Sequence, residues 1–90
     1  MMYPYLTLDD ETEIVHSEML PDSTVKVYIE KPDETDGFHY ASCYLPQYRW
    51  KDIFGFSEEE IKAYQTILEN NAHLIIELSQ HGGFDNASGF

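Results

Sequence analysis

The side chains best suited to metal binding or acid–base chemistry form a regularly spaced row. Glu69, His73 and Glu77 follow one another at intervals of four residues, so on a helix they would share one face. Neighbouring members would lie about 6 Å apart and the two ends about 12 Å apart, so one ion could not be reached by all three. We therefore expect a solvated row of hydrogen bonds here, and we predict no metal ion and no other cofactor.

The loop from Pro32 to Gly37 is rich in carboxylates and invites comparison with a calcium-binding loop. Aligning Gly37 with the invariant glycine of such a loop places Pro32 at the first ligand position and Cys43 at the position of the bidentate glutamate. Neither residue can supply the required carboxylate, so the calcium motif fails. The acidic run at residues 9–13 is expected to be a solvated turn.

Cys43 is the single cysteine, and nucleophilic catalysis would need a histidine within hydrogen-bond reach of its sulfur. His39 shares its predicted strand face, but four residues along a strand span about 13 Å. His16 lies on another predicted strand, and no spacing in the sequence fixes its distance from Cys43. We expect Cys43 and His16 to be structural residues of the core, and the sequence favours a non-enzymatic domain.

Aromatic residues are concentrated in the segment 47–56, where the spacing of Trp50 and Phe54 permits one helical turn. We interpret the segment as a hydrophobic plug that closes the gap between a sheet and a helix. Alternatively, it could form a small-ligand or catalytic pocket with the sheet. The residues that would line such a pocket are His16, His39, Tyr40, Tyr44 and Trp50. Tyr48, Arg49 and Trp50 are also of the types that dominate binding hot spots, so we predict that they belong to a protein interface.

The first half of the chain has the pattern of β-strands. Residues 24–31 alternate cleanly between β-branched and polar side chains, which is typical of a half-buried strand. Residues 38–45 carry aromatic side chains on one face and mostly small ones on the other, and we expect the small face to lie under a helix. Together with weaker strand signals in residues 5–19, this pattern predicts a three- to four-stranded antiparallel meander.

One long amphipathic helix is predicted from about Ser57 to about Gln80. Ser57 and Glu60 have the spacing of a capping box, and Phe56 and Ile61 have that of a hydrophobic staple. Strands followed by a helix indicate an α+β fold, with this C-terminal helix packed on one face of the sheet.

The chain is long enough for one domain only. We assign that domain to residues 1–84, with a predicted helix C-cap at 82–83 and a flexible tail at 85–90.

The apolar arc of the helix is wider than packing on a sheet requires. It covers about 220° at about 100° per residue, whereas a helix on one sheet face needs little more than about 100°. Something else must therefore cover one flank, and a second copy of the chain could do so. This predicts a homodimer, with Ala63, Ile67 and Leu74 on the helix flank as interface residues.

Charge and composition narrow the classes of partner. Seventeen acidic residues against five basic ones give a net charge of −12, which disfavours direct binding to nucleic acid or to anionic membranes. No apolar run approaches the roughly 20 residues needed to span a bilayer. The N-terminus lacks the pattern of a secretory signal, and with a single cysteine this favours a cytoplasmic protein.

In size and charge the chain resembles acidic antitoxins, immunity proteins and inhibitors that neutralise basic nucleases, which implies a basic protein partner. The sequence thus predicts a non-enzymatic protein-interaction module. We expect it to be homodimeric and to have an acidic surface suited to a basic protein.

Overall fold

The computed structural model describes residues 1–81, so the predicted C-cap at 82–83 and tail at 85–90 lie outside the described residues. Within residues 1–81, five strands precede one helix. Their bounds in chain order are β1 Met2–Thr7, β2 Glu13–Ser17, β3 Val25–Asp33, β4 Gly37–Leu45, β5 Arg49–Phe54 and α1 Glu58–His81.

The strands form one antiparallel sheet in the order β1-β2-β3-β4-β5, so each strand lies beside its neighbour in sequence. The predicted α+β class and antiparallel meander are confirmed, but the predicted count of three to four strands is wrong. One extra strand arises because residues 2–17 form a hairpin. Its turn is closed by Asp10, whose Oδ1 accepts hydrogen bonds from the N–H and the hydroxyl of Thr12 at 3.1 and 2.6 Å.

The fifth strand is the segment that we interpreted as a plug with a helical turn. The spacing of Trp50 and Phe54 was misleading because β5 contains a bulge at Asp52, where φ is 54° and the register with β4 shifts. Without a bulge, residues four apart on a strand share a face. With it, the Trp50 indole N–H donates to Gln65 of α1 at 2.9 Å, while Phe54 stacks on Tyr40 on the opposite face of the sheet.

The hydrophobic core lies between α1 and one face of the sheet. The predicted alternation in β3 and β4 is confirmed, since every second residue of both strands faces the core. On the face of the sheet towards α1, the residues that are almost completely buried are Ile14, His16, Val25, Val27, Ile29, Ala41, Cys43 and Leu45. From α1, Leu68 and Ile75 are fully buried and Tyr64 nearly so.

The helix begins where the capping box predicts. The N–H of Ser57 donates to Oε1 of Glu60 at 2.9 Å, and the N–H of Glu60 donates to Oγ of Ser57 at 3.1 Å. These bonds satisfy two of the N–H groups left unpaired at a helix start. Phe56, just before the cap, packs edge-on against the Tyr64 ring at 5.0 Å. No helix within residues 1–81 is both long enough and apolar enough to cross a membrane.

Candidate functional site

Cys43 is completely buried under α1, and no histidine among residues 1–81 lies within hydrogen-bond reach of its sulfur. Burial raises the pKa of its thiol to about 12, so the sulfur keeps its proton at neutral pH. His39 lies four residues along β4, about 13 Å away. His16 lies two strands away in the same cross-strand row, at about 10 Å. Both distances exceed hydrogen-bond reach, so this arrangement cannot generate a thiolate nucleophile.

His16 is also completely buried, against the rings of Tyr3 and Tyr5 on β1. Its Nδ1 lies 2.9 Å from the carbonyl oxygen of Ser17. A carbonyl only accepts hydrogen bonds, so Nδ1 carries the proton and donates it. Nε2 has no hydrogen-bond partner among residues 1–81. Because this atom is enclosed by the core, a substrate could not reach it without opening the sheet.

The residues predicted to line a pocket divide between the two faces of the sheet. His16 and His39 lie on the face towards α1, whereas Tyr40 and Tyr44 lie on the opposite face. Trp50 also points towards α1. The structure therefore does not bring these side chains together around one cavity.

A different cavity, of about 250 Å³, lies between the end of β5 and the first turn of α1. Most of its surface is apolar, although Glu58 and Lys62 contribute to it. The lining residues are Ile53, Phe56, Glu58, Ile61 and Lys62. Glu58 and Lys62 are the only titratable groups in this set and form no ion pair with each other, so the cavity suits an apolar group better than a reaction.

Three potential metal ligands converge where β3 turns into β4. Nε2 of His39 lies 3.0 Å from Oδ2 of Asp36 and 3.6 Å from Oδ1 of Asp33. Within residues 1–81 these residues are the one group of three whose ligand atoms are close enough to share an ion. The calcium-loop pattern does not predict this group, because such a loop uses oxygen ligands and has no place for a histidine. The D-x-x-D-x-x-H spacing was the available signal.

Contacts within the chain already account for the geometry of this group. Oδ2 of Asp33 accepts the N–H groups of Asp36 and Thr35 at 2.9 and 3.0 Å, and these bonds, the first above all, lower the pKa of Asp33. The ring of His39 packs against Gly55, where a Cβ would collide with it and φ is 86°. The turn and this close approach together orient the three side chains.

The row of Glu69, His73 and Glu77 is exposed on the polar face of α1. Glu69 accepts a hydrogen bond from the amide of Gln65 at 3.3 Å. The row lies apart from the Asp33 group, and its members point into solvent.

The second face of the sheet is covered by no element among residues 1–81, and we term it the open face. Across its middle, Tyr28, Tyr40 and Phe54 form a stack with ring centroids 6.4 and 5.3 Å apart. Phe38, Tyr40 and Phe54 are 51%, 37% and 45% exposed. The open face comprises Glu13, Val15, Lys26, Tyr28, Glu30, Pro32, Phe38, Tyr40, Ser42, Tyr44, Arg49, Lys51 and Phe54. When exposed aromatic side chains adjoin one another in this way, the patch that they form often marks an interaction site.

One end of the open face is basic. Lys26, Tyr44 and Arg49 form a cross-strand row, with Lys51 one row further in. The guanidinium of Arg49 and the ammonium of Lys51 lie 5.3 and 5.8 Å from the centre of the Tyr44 ring, as cation–π contacts. Three of the five basic residues of the chain therefore lie at this basic end.

The other end of the open face is acidic. Glu13 and Glu30 lie directly opposite each other on β2 and β3, and like charges in this arrangement are unfavourable. Beside them is a cavity of about 270 Å³. Its lining residues are Thr7, Glu11, Glu13, Glu30, Pro32 and Phe38. The hydroxyl of Tyr28 donates to Glu30 at 2.9 Å. Burial, and then this carboxylate, raise the pKa of Tyr28 to about 12.

The residues predicted to form an interface do not lie on one surface. Arg49 belongs to the open face, whereas Tyr48 packs against the core. On the predicted flank of α1, Ile67 packs against the core, Leu74 is half-buried and Ala63 is exposed. The helix flank thus exposes less apolar surface than the open face does.

No protein-family model, curated protein or solved structure matches this chain.

Proposed function

We propose that the chain is a non-enzymatic protein-interaction module that self-associates through the open face and presents an acidic outer surface to a basic protein partner. The observation that carries the proposal is the exposed stack of Tyr40 and Phe54, with Phe38 beside it, on an uncovered sheet face. An antiparallel sheet can leave one face in water when that face is polar. This face is aromatic, and aromatic side chains supply much of the energy of protein interfaces.

The open face approaches the size of a dimer interface. Its five strands have five to nine residues each, on average about 23 Å in length, and at a spacing of about 4.8 Å they span about 20 Å. The projected area is on the order of 450 Å², against about 800 Å² per partner in a stable interface of standard size. Aromatic rings that stand out from the sheet add to the contact area. Two sheets packed face to face would bury the stack.

Dimerisation through the open face would leave an outer surface more acidic than that of one chain. It would cover Lys26, Arg49 and Lys51, three of the five basic residues. The exposed glutamates of α1, on the other side of the sheet, are Glu58, Glu59, Glu69 and Glu77. Such a surface attracts a basic protein, as in an antitoxin-, immunity- or inhibitor-like role.

Binding of a cation-rich partner to this outer surface is expected to weaken steeply with salt, because exposed charges are screened beyond about 8 Å at physiological ionic strength. Calorimetric titration with poly-lysine at low and at physiological salt measures the effect. The variant Glu69→Gln/Glu77→Gln should bind more weakly at low salt. Affinity that does not respond to salt would contradict this part of the proposal.

Self-association is tested by sedimentation equilibrium from low micromolar to submillimolar protein. We expect the mass to rise from the 10.5 kDa of one chain towards twice that value. Phe54→Ser and Phe38→Ser should each weaken association by about tenfold or more, because each removes a ring from the open face. An unmodified chain that stays at 10.5 kDa over the whole range would overturn the proposal.

Ile53 provides a matched control for Phe54. The two neighbours are 46% and 45% exposed, but Ile53 lines the cavity beside α1 and so lies away from the open face. Ile53→Ser should therefore leave association unchanged. Ala63→Glu tests the helix flank in the same assay. If Ala63→Glu abolishes association while Phe54→Ser does not, the interface is on the helix.

A further inference from the structure

The charged groups at both ends of the open face lack ion-pair partners in the described chain. Among residues 1–81, no ion pair involves Lys26, Arg49 or Lys51, and none involves Glu13 or Glu30. Glu13 and Glu30 also repel each other across their strands. A cation brought to the acidic end from outside the chain would relieve that repulsion.

The sheet register places these opposite charges symmetrically. Lys26 and Glu30 lie on the same strand and the same face, about 13 Å apart, with Tyr28 midway between them. Consider a two-fold axis that lies between two stacked sheets and crosses the strands at right angles at Tyr28. It places Lys26 of each copy against Glu30 of the other. The same operation places the guanidinium of Arg49 over Phe54 of the other copy, a favourable cation–π arrangement.

We propose that the occupant of the open face is a second copy of this chain, docked about this two-fold axis with the basic end of each copy on the acidic end of the other. The inference rests on the proposed self-association and specifies its geometry. An axis parallel to the strands would instead set Lys26 against Lys26 and Glu30 against Glu30. Lys51 shares the row of Tyr28 and Ser42, so this axis sets it near Lys51 of the other copy, but the two Lys26–Glu30 contacts outnumber that one like-charge contact. Charge complementarity therefore favours the axis across the strands over the axis along them.

Two charge reversals test this geometry in the sedimentation assay. Lys26→Glu sets a carboxylate against Glu30 of the other copy, and Glu30→Lys sets an ammonium against Lys26 of the other copy. Each variant alone should associate about tenfold or more weakly than the unmodified chain, because like charges then meet twice across the axis. An equimolar mixture of the two should form a heterodimer, visible as a mixed mass in native mass spectrometry. The double variant Lys26→Glu/Glu30→Lys should regain homodimerisation.

If general repulsion between the acidic chains controlled association, Glu30→Lys would have the opposite effect. This change takes the chain from −12 to −10, so it would strengthen association if only general repulsion mattered. Glu34→Lys makes the same change in the exposed β3–β4 turn and should not weaken association. Circular dichroism must show an unchanged fold in every variant.

The outcomes separate this inference from the proposed function. Suppose that the unmodified chain dimerises, that Phe54→Ser weakens dimerisation and that both charge reversals dimerise normally. The two-fold arrangement is then wrong, and the open-face interface is supported. If the mixture fails to form heterodimers although both reversals are monomeric, the Lys26–Glu30 contact is wrong. A monomeric unmodified chain overturns the proposed function as well.

Discussion

Leu68→Ala is expected to lower the free energy of unfolding by about 3–5 kcal/mol. Leu68 is completely buried and belongs to the core between α1 and the sheet. Truncation would leave a cavity that the close-packed neighbours cannot fully fill. Since a domain typically has about 5–15 kcal/mol of stability in total, this loss is a large share. Urea and thermal denaturation followed by circular dichroism measure it, with a fall in Tm of about 4–8 °C per kcal/mol.

Leu74→Ala is the matched control on the same helix. Leu74 is half-buried and is not among the described side chains packed against the core, so the same truncation should cost about 1 kcal/mol or less. Both variants must be compared at one dilute protein concentration, because self-association would add to apparent stability. Equal losses at the two positions would contradict the assignment of the buried face of α1.

The helix and the central strands could be predicted because their signals are local. The capping box of Ser57 and Glu60 needs only residues three apart, and it forms in the structure. The alternation of β3 reports burial directly, since a strand with one buried face shows period two whatever its neighbours are.

The outer strands depend on contacts that the local pattern does not encode. The bulge at Asp52 shifts the register of β5 against β4, and this shift decides which face receives Phe54. The spacing of Trp50 and Phe54 fits a helical turn equally well. Only pairing with β4 makes the segment a strand.

The sequence predicted the aromatic side chains of the open face, but not that this face is uncovered. The alternation in residues 38–45 placed the aromatic side chains on one face, but such a pattern does not reveal whether a second layer covers them. The wide apolar arc of α1 pointed to its flank instead. Ile67 packs against the chain's own core, so part of that arc is covered without a partner.

The charge pattern of the open face could not be predicted without the register. Glu30 lies opposite Glu13, and Lys26 lies opposite Tyr44, because of how β2, β3 and β4 pair. A slip of one residue would move every one of these side chains to the other face. The sequence supplies the charges, and strand pairing alone separates them into two ends.

The fold is expected to lose stability as the pH rises above about 9, with Cys43 as the main cause. Burial raises the pKa of its thiol from 9.0 to about 12 on folding. The unfolded chain therefore releases this proton first. The stabilising contribution is complete below pH 9, and it is lost as the pH rises towards 12. For one group the slope approaches about 1.4 kcal/mol per pH unit, so the total loss is several kcal/mol in order of magnitude.

Cys43→Ala and Tyr28→Phe separate the two groups whose pKa values are raised most. The pKa of Tyr28 also rises to about 12, but from 10.0 and on a partly exposed ring, so its effect begins above pH 10 and is smaller. Between pH 9 and 10, the unmodified chain and Tyr28→Phe should lose stability in parallel. Cys43→Ala should have a lower free energy of unfolding at pH 9, because the substitution leaves a small cavity, and that free energy should change little up to pH 10. Urea titrations across this interval measure the slopes, and an undiminished slope in Cys43→Ala would rule out the buried thiol as the cause.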